Sequence, residues 1–148
     1  MRYEYLKHTA DLKVKAYGKT LEEAFANVVI GGFDFLIDTS KVKKNIEKSI
    51  SVSAKRIESL LYDFINEILF LLDTEGFLIA GFKDFKIKED KVKEGKGKEG
   101  INFSLQCTAL GDNYKNYKVK GDIKAITYSE MEIKKEKDGF VVIAVFDI

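Results

Sequence analysis

The sequence has no proline, a single cysteine (Cys107) and a single histidine (His8). One cysteine excludes an internal disulfide, and these two residues cannot supply the four soft ligands of the usual structural zinc site within one chain. The formal net charge is only +1. It excludes the strong overall basic field typical of proteins that track nucleic-acid phosphates, although a local basic patch remains compatible with it.

The start of the chain also lacks the apolar stretch of a secretion signal, so we expect a cytoplasmic protein. Hydrophobic residues make up 45% of the sequence and charged residues 33%, a balance that fits neither a disordered nor a membrane-spanning chain. At 148 residues, the chain fits a single domain, 1–148. The absence of proline, together with many lysines and glutamates, would suit a heat-adapted protein.

Several catalytic motifs are missing. The glycine-rich segment 95–100 lacks the spacing and the Lys-Ser/Thr ending of a phosphate-binding loop, so it is interpreted as a solvated loop. No serine occupies a nucleophile-elbow sequence that His8 could serve as base. Cys107 alternates with Phe103 and Leu105, which predicts a buried, inert thiol rather than a nucleophile paired with His8. A metal site built from oxygen ligands survives this elimination.

Hydrophobic periodicity predicts an α+β fold: a mostly antiparallel or mixed β-sheet with two helices packed on it, in one domain. Thr20 and Glu23 form a capping box at the start of the first helix. Apolar residues spaced i, i+3, i+4 and i+7 over 57–72 predict the second helix, with Gly76 as its C-terminal cap. Strands are predicted near residues 2–7, 11–17, 45–53, 77–87, 101–110, 119–128, 131–135 and 140–148.

Three segments are predicted to interrupt these elements. Gly31 and Gly32 fall inside the first helical pattern, so either the helix kinks or another backbone packs closely there. The charged segment 88–100 is interpreted as an exposed hairpin tip or mobile loop. Residues 111–117 are polar, and we expect them to be flexible.

The two ends of the chain carry the candidate site. The polar segment His8-Thr9-Ala10-Asp11 lies between the first two predicted strands. At the other end of the chain, the apolar strand 140–146 leads directly into Asp147 and Ile148. If that strand is buried, the Asp147 carboxylate and the terminal α-carboxylate lie side by side and require a counter-charge. A hard cation with oxygen ligands would supply it, with Asp11 as a third carboxylate. The alternative is that Asp147 is solvated and the last two residues are loose.

A further polar segment precedes this final strand. Lys124 and Tyr128 are four residues apart, so in a strand they would share a face. Since strands that follow one another in sequence usually pair, this face would lie near the terminal site. The alternative is a sheet edge with solvated lysines.

These features together resemble the archease family. The resemblance rests on the HTAD motif at 8–11, the KAITY segment at 124–128 and the ending FDI at 146–148. The segments LEEAF at 21–25 and LLYDFINEIL at 60–69 add to it, so it covers essentially the whole chain. The chain departs from the family at Gly111-Asp112, where the family often has Gly-Glu.

The resemblance implies an accessory protein rather than an enzyme. Archeases assist the RtcB-type RNA ligase, which joins tRNA halves with GTP and divalent manganese, by promoting guanylylation of the ligase and repeated turnover. The tRNA would be an indirect partner through the ligase, and we expect no membrane partner. Two alternatives remain open: a small divalent-metal-dependent phosphoester hydrolase that uses the same carboxylates, and a general chaperone, which would need a large exposed apolar patch.

The resemblance also implies the metal ligands. The family's metal site maps to Asp11, Asp147 and the terminal residue Ile148, with calcium as the expected ion and manganese or magnesium as alternatives. His8 is not carried over as a ligand, because imidazole suits softer metals than an all-oxygen site. We expect His8 to orient Asp11 from outside the ligand set. Lys124 and Tyr128 are candidates for contact with the partner.

Overall fold

The computed structural model describes residues 2–8 and 10–148; Met1 and Thr9, the second residue of the HTAD motif, lie outside the described residues. The described part contains seven β-strands and two α-helices in one domain. In chain order these are β1 (Tyr3–Leu6), β2 (Asp11–Gly18), α1 (Leu21–Phe33), β3 (Ile46–Ala54), α2 (Ile57–Glu75), β4 (Phe77–Lys93), β5 (Glu99–Asn113), β6 (Ala125–Glu136) and β7 (Gly139–Asp147).

The strands form two sheets. The first sheet has the order β1-β2-β7-β6 and the second has the order β3-β5-β4, and neighbouring strands in both are antiparallel. Each helix contacts strands of both sheets: α1 packs against β2, β7 and β4, and α2 packs against β6 and β3. The predicted α+β class with antiparallel pairing and two packed helices is confirmed, and the structure adds that the strands divide into two sheets.

Helix α1 begins as predicted and passes through its glycine pair. The Thr20 side chain accepts a hydrogen bond from the Glu23 amide at 3.1 Å, which caps the helix. A Cβ on Gly31 would lie 2.7 Å from Val14, and a Cβ on Gly32 would lie 2.7 Å from the ring of Phe146. Side chains of the first sheet, rather than another backbone, therefore pack closely against the glycines. This contact holds the end of β7 against the helix.

Helix α2 carries the predicted apolar stripe. Its buried residues are Leu60, Leu61, Phe64, Ile65, Ile68, Leu69 and Leu71. The helix is followed by Gly76 in the left-handed conformation (φ 66°), whose amide donates to the carbonyls of Leu71 and Leu72. Both the second helix and its glycine cap are confirmed.

The β4–β5 hairpin is longer than the sequence pattern predicts. Residues 88–93 and 99–100 are paired strand residues, so the connecting loop is only 94–98. Residues 88–93 are all exposed. Charged side chains are therefore compatible with both faces of this part of the hairpin. Composition alone made the segment resemble a loop, whereas the antiparallel register across to β5 keeps it extended.

Segment 111–117 has regular structure, because residues 111–113 end β5 and Tyr114–Asn116 form a short 3₁₀ helix. The Asp112 carboxylate is buried, accepts a hydrogen bond from the Tyr117 hydroxyl at 2.7 Å and accepts another from the Asn113 amide at 2.9 Å. The hydroxyl of Tyr117, and then the amide of Asn113, hold the pKa of Asp112 below its usual range. The acidic residue of Gly111-Asp112 therefore stabilises a turn in this chain.

The region before β7 also differs from the prediction. Residues 119–124 precede β6 as irregular backbone, and the Lys120 amide donates to the Leu36 carbonyl at 2.7 Å. The two strands predicted over 119–128 and 131–135 are instead one strand, Ala125–Glu136, with an irregularity in its pairing to β7 between Thr127 and Glu132. The polar residues at this irregularity made one strand look like two.

We expect Gly111→Ala to destabilise the protein strongly. A Cβ at Gly111 would lie 1.9 Å from the Leu78 carbonyl oxygen, a backbone atom that cannot move without disturbing β4. Such overpacking costs about 3 kcal/mol. Gly81→Ala in the same hairpin is the matched control, because its added Cβ would meet only the flexible Lys44 side chain at 3.5 Å. Urea unfolding measures both, and equal effects would contradict the packing described for Gly111.

Candidate metal site

Two carboxylates face each other at one end of the first sheet. Asp11 is the first residue of β2 and Asp147 is the last residue of β7, and they are direct partners in the antiparallel register. Side chains opposed in this way share a face, with Cβ atoms about 4.5–5.5 Å apart. On the other side of β7, Ala125 of β6 pairs with Asp147. The structure thus brings together two of the predicted site residues from opposite ends of the sequence.

The alternation of buried and partly exposed residues explains this placement. Leu12 and Phe146, the next pair in the register, are 8% and 0% exposed, so both belong to the core. Because successive side chains in a strand point to opposite faces, Asp11 and Asp147 lie on the outer face, where both are partly exposed. Asp147 is therefore held in a paired strand, and Ile148, 37% exposed, follows it directly.

His8 reaches this end of the sheet through a residue that the sequence patterns did not single out. Its Nε2 lies 2.5 Å from Oε2 of Glu130, and Oε1 of Glu130 accepts a hydrogen bond from Lys13 at 3.2 Å. The hydrogen bond from His8, and then that from Lys13, lower the pKa of Glu130. One sequence feature could have indicated Glu130: the polar pair Ser129-Glu130 interrupts the alternation of apolar and polar residues in β6.

The other ring nitrogen of His8 faces Asp11. Its Nδ1 is 3.7 Å from Oδ2 of Asp11, which is longer than a hydrogen bond. This atom is buried and has no hydrogen-bond partner. His8 therefore lies beside Asp11, as the sequence predicts, but its contact with Asp11 is not a hydrogen bond.

Lys124 and Tyr128 have separate surroundings. Lys124 precedes β6, so its predicted place on one strand face with Tyr128 is wrong; its backbone amide donates to the Asp147 carbonyl at 2.7 Å. The ring of Tyr128 stacks on Tyr62 of α2, with centroids 4.0 Å apart, and 49% of Tyr128 is exposed. Lys124 thus anchors the last strand through its backbone, while Tyr128 joins β6 to α2.

The donor chemistry at Asp11 and Asp147 fits a hard divalent cation. Like charges directly opposite each other in a sheet are destabilising, and a cation bound between them would remove the repulsion. Within residues 2–8 and 10–148, no three His, Cys, Asp or Glu side chains form a group able to hold a metal ion. Two side-chain carboxylates therefore form an incomplete ligand set by themselves, and a cation at this position would need a further donor.

The position of Cys107 excludes it as a nucleophile that uses His8 as its base. Cys107 is 5% exposed in β5 of the second sheet, and burial raises the pKa of its thiol to about 12. His8, by contrast, contacts Glu130 in β6 of the first sheet. The predicted burial of the Cys107 thiol is confirmed, and a Cys107–His8 nucleophile pair is excluded.

Neither helix in the described part of the chain has both the length and the apolar character needed to cross a membrane.

The fold and the opposed carboxylates define a small α+β protein with an acidic end on its four-stranded sheet. Residues 3–148 match the Archease protein family (MTH1598/TM1083). Protein archease of Methanosarcina barkeri is 38% identical over 149 residues, which cover 99% of this chain and 96% of that protein. Protein archease of Pyrococcus furiosus is 39% identical over 140 residues, covering 93% of this chain and 92% of the relative.

A solved structure shares the fold. The solution structure of Methanobacterium thermoautotrophicum protein 1598 matches with a TM-score of 0.77 and 31% sequence identity, covering 99% of both chains. The chain belongs to the archease family, as its sequence motifs predict.

Proposed function

We propose that this chain is an activator of the RtcB-type RNA ligase in tRNA splicing. Its membership of the archease family supports this role, because the sequence resemblance implies an accessory protein that promotes guanylylation and multiple turnover of the ligase. The observation that carries the proposal is the direct pairing of Asp11 with Asp147 at an accessible end of the first sheet. The chain itself is proposed to have no catalytic activity, to reach tRNA indirectly through the ligase and to act in the cytoplasm.

The proposed site consists of Asp11, Asp147 and the α-carboxylate of Ile148. Calcium, manganese or magnesium would fit these oxygen donors. When bound, such an ion supplies positive charge that coordinates phosphate or carboxylate oxygens. The chain's own contribution is to hold the donors in place: β2 and β7 set the register of the two aspartates, and the buried Phe146 packs against Gly32 of α1. This acidic end would help to place metal or nucleotide in the active site of the ligase.

Multiple-turnover RNA ligation tests the proposed function. With ligase limiting, GTP and manganese present and RNA ends in excess, we expect the untagged chain to increase product per ligase molecule well beyond one turnover. The same chain without ligase is then incubated with a phosphoester substrate and divalent metal. Activation without intrinsic hydrolysis supports the accessory role. Hydrolysis by the chain alone, with no effect on the ligase, would overturn it in favour of the hydrolase.

A further inference from the structure

Two connections between elements meet and enclose a groove rich in lysine. One connection joins α1 to β3, and the other joins β5 to β6. The Lys43 amide donates to the Tyr117 hydroxyl at 2.9 Å, and the Lys120 amide donates to the Leu36 carbonyl at 2.7 Å, so the two connections are held together. We call the space between them, of about 490 Å³, the lysine groove. The side chains that give it its character are Lys41, Lys118, Lys120 and Phe35.

The three lysines of this groove are not neutralised by neighbouring acids. Lys41, Lys118 and Lys120 are exposed, and in the part of the chain that the structure describes none of them forms an ion pair. The formal net charge of the whole chain is only +1, so this is a local concentration of positive charge. Such a patch attracts an anionic ligand although the protein as a whole is nearly neutral.

Two aspartates also line the groove, but other donors contact their carboxylates. Asp34 accepts hydrogen bonds from the hydroxyls of Tyr3 and Thr39, both at 2.6 Å. Asp38 accepts from the Ser40 hydroxyl at 2.6 Å and from the Ser40 amide at 3.1 Å. These hydrogen bonds hold the connection between α1 and β3 in shape. The lysine ammonium groups therefore stay open to an external anion.

Phe35 adds a second kind of contact to the groove. Its side chain is 37% exposed and lies beside the lysines. Lysines that contact phosphates, next to an aromatic ring that can stack on a base, are the combination by which proteins bind single-stranded nucleic acids. A duplex would offer its phosphates but keep its bases stacked inside, and an acidic peptide would use only the lysines. The combination therefore favours a single strand.

The groove lies close to the acidic end of the first sheet. Lys120 lines the groove, and four residues later the Lys124 amide donates to the Asp147 carbonyl at 2.7 Å. Four residues span at most about 14 Å even when fully extended. If the acidic end works where the ligase joins RNA ends, phosphates of the same strand would lie within reach of the groove.

We propose that the lysine groove binds single-stranded RNA directly, with Lys41, Lys118 and Lys120 on the phosphates and Phe35 stacked on a base. The choice of RNA rests on the proposed function, whereas the contacts follow from the charge and shape of the groove. The chain would thus touch a strand that the ligase also holds. Contacts to phosphates and to the face of a base give little sequence preference.

Fluorescence anisotropy of a labelled single-stranded RNA of about ten nucleotides tests the groove, with the untagged chain and no ligase. We expect binding whose logarithm falls with the logarithm of the salt concentration with a slope of about −2, since each of three phosphate contacts contributes about −0.7. The variant Lys41→Gln/Lys118→Gln/Lys120→Gln should lose at least tenfold in affinity. Absence of RNA binding by the wild type at low salt would overturn the proposal.

Two further variants make this test specific. Lys88→Gln/Lys91→Gln/Lys93→Gln removes the same charge from exposed residues of β4 and should bind RNA like the wild type. Phe35→Leu should weaken binding by about tenfold without changing the salt slope, because it removes stacking and no charge. Equal losses in the two lysine variants would show attraction by overall charge and overturn the groove. Binding of a poly-glutamate peptide in place of RNA would show a protein-docking surface instead.

Multiple-turnover ligation separates this inference from the proposed function. If the isolated wild-type chain does not bind RNA but activates the ligase, only the inference about the groove fails. If it binds RNA through the groove but leaves the ligase unaffected, the proposed function fails and the groove stands.

Discussion

Replacing Asp11 and Asp147 together by alanine is expected to abolish divalent-cation binding. The two residues are direct partners across β2 and β7, so the double variant removes both side-chain carboxylates of the proposed site. A single terminal carboxylate cannot satisfy an ion that takes six or more oxygen ligands. Calorimetric titration with Ca²⁺ and Mn²⁺ measures the loss. If the double variant binds the cation as tightly as the wild type does, the proposed site is wrong.

The same pair should carry a stability penalty when no cation is present. Opposed like charges in a sheet cost about 0.2–1 kcal/mol, so Asp147→Asn should make the protein slightly more stable in the presence of a chelator. It should also reduce the stabilisation that added cation gives the wild type. Asp138→Asn is the matched control, since Asp138 is exposed in the turn that precedes the same strand. If the two variants behave alike in chelator and in calcium, Asp147 is an ordinary surface residue.

Extending the chain by one glycine after Ile148 is expected to weaken both cation binding and ligase activation severely. The extension converts the α-carboxylate of Ile148 into a neutral amide and moves the terminal charge outward by about 3.5 Å. Phe146 remains fully buried, and Asp147 keeps its pairing, so the melting temperature should change little. The measurements are melting temperature, cation affinity and turnover of the ligase in the extended protein.

Two further variants make the comparison specific. Ile148→Val keeps a carboxylate at position 148 and should behave like the wild type, because Ile148 is already partly exposed. Deleting Ile148 moves the α-carboxylate onto Asp147 and should impair binding as the extension does. Full activation by both the extended and the shortened protein would show that Asp11 and Asp147 act without a terminal carboxylate.

The parts of the fold that the sequence predicts well are those whose apolar pattern faces the core. The stripe of α2 and the alternation of Leu12, Val14 and Ala16 in β2 reflect burial directly. Residues 88–93 of the β4–β5 hairpin are not predicted in this way, because all of them are exposed and charged side chains occur on both faces of this stretch. The division into two sheets is not predicted in this way either, since periodicity reports which face of a strand is buried but not which strand lies beside it.

The candidate site, like the fold, is predicted by the sequence only in part. Asp11 and Asp147 could be matched from the two chain ends, because each flanks a strand with a clear core pattern, and their pairing follows once β2 and β7 are neighbours. Glu130 could not be found in this way. It reaches His8 from 122 positions along the chain, at an irregularity in β6 that places a non-glycine residue at φ 59°. Alternation predicts regular strands, so a residue that reaches the candidate site through an irregularity has no periodic signal.

The rate of guanylylation of the ligase tests the central claim most directly. Ligase, GTP and Mn²⁺ are combined with the wild-type chain, with the Asp11→Ala/Asp147→Ala double variant, or with Asp138→Asn, and formation of the ligase–guanylate adduct is followed in time. We expect the wild type and Asp138→Asn to accelerate the reaction equally, and the folded double variant to leave it at the rate of ligase alone. Acceleration by the double variant equal to that of the wild type would contradict activation through the paired carboxylates.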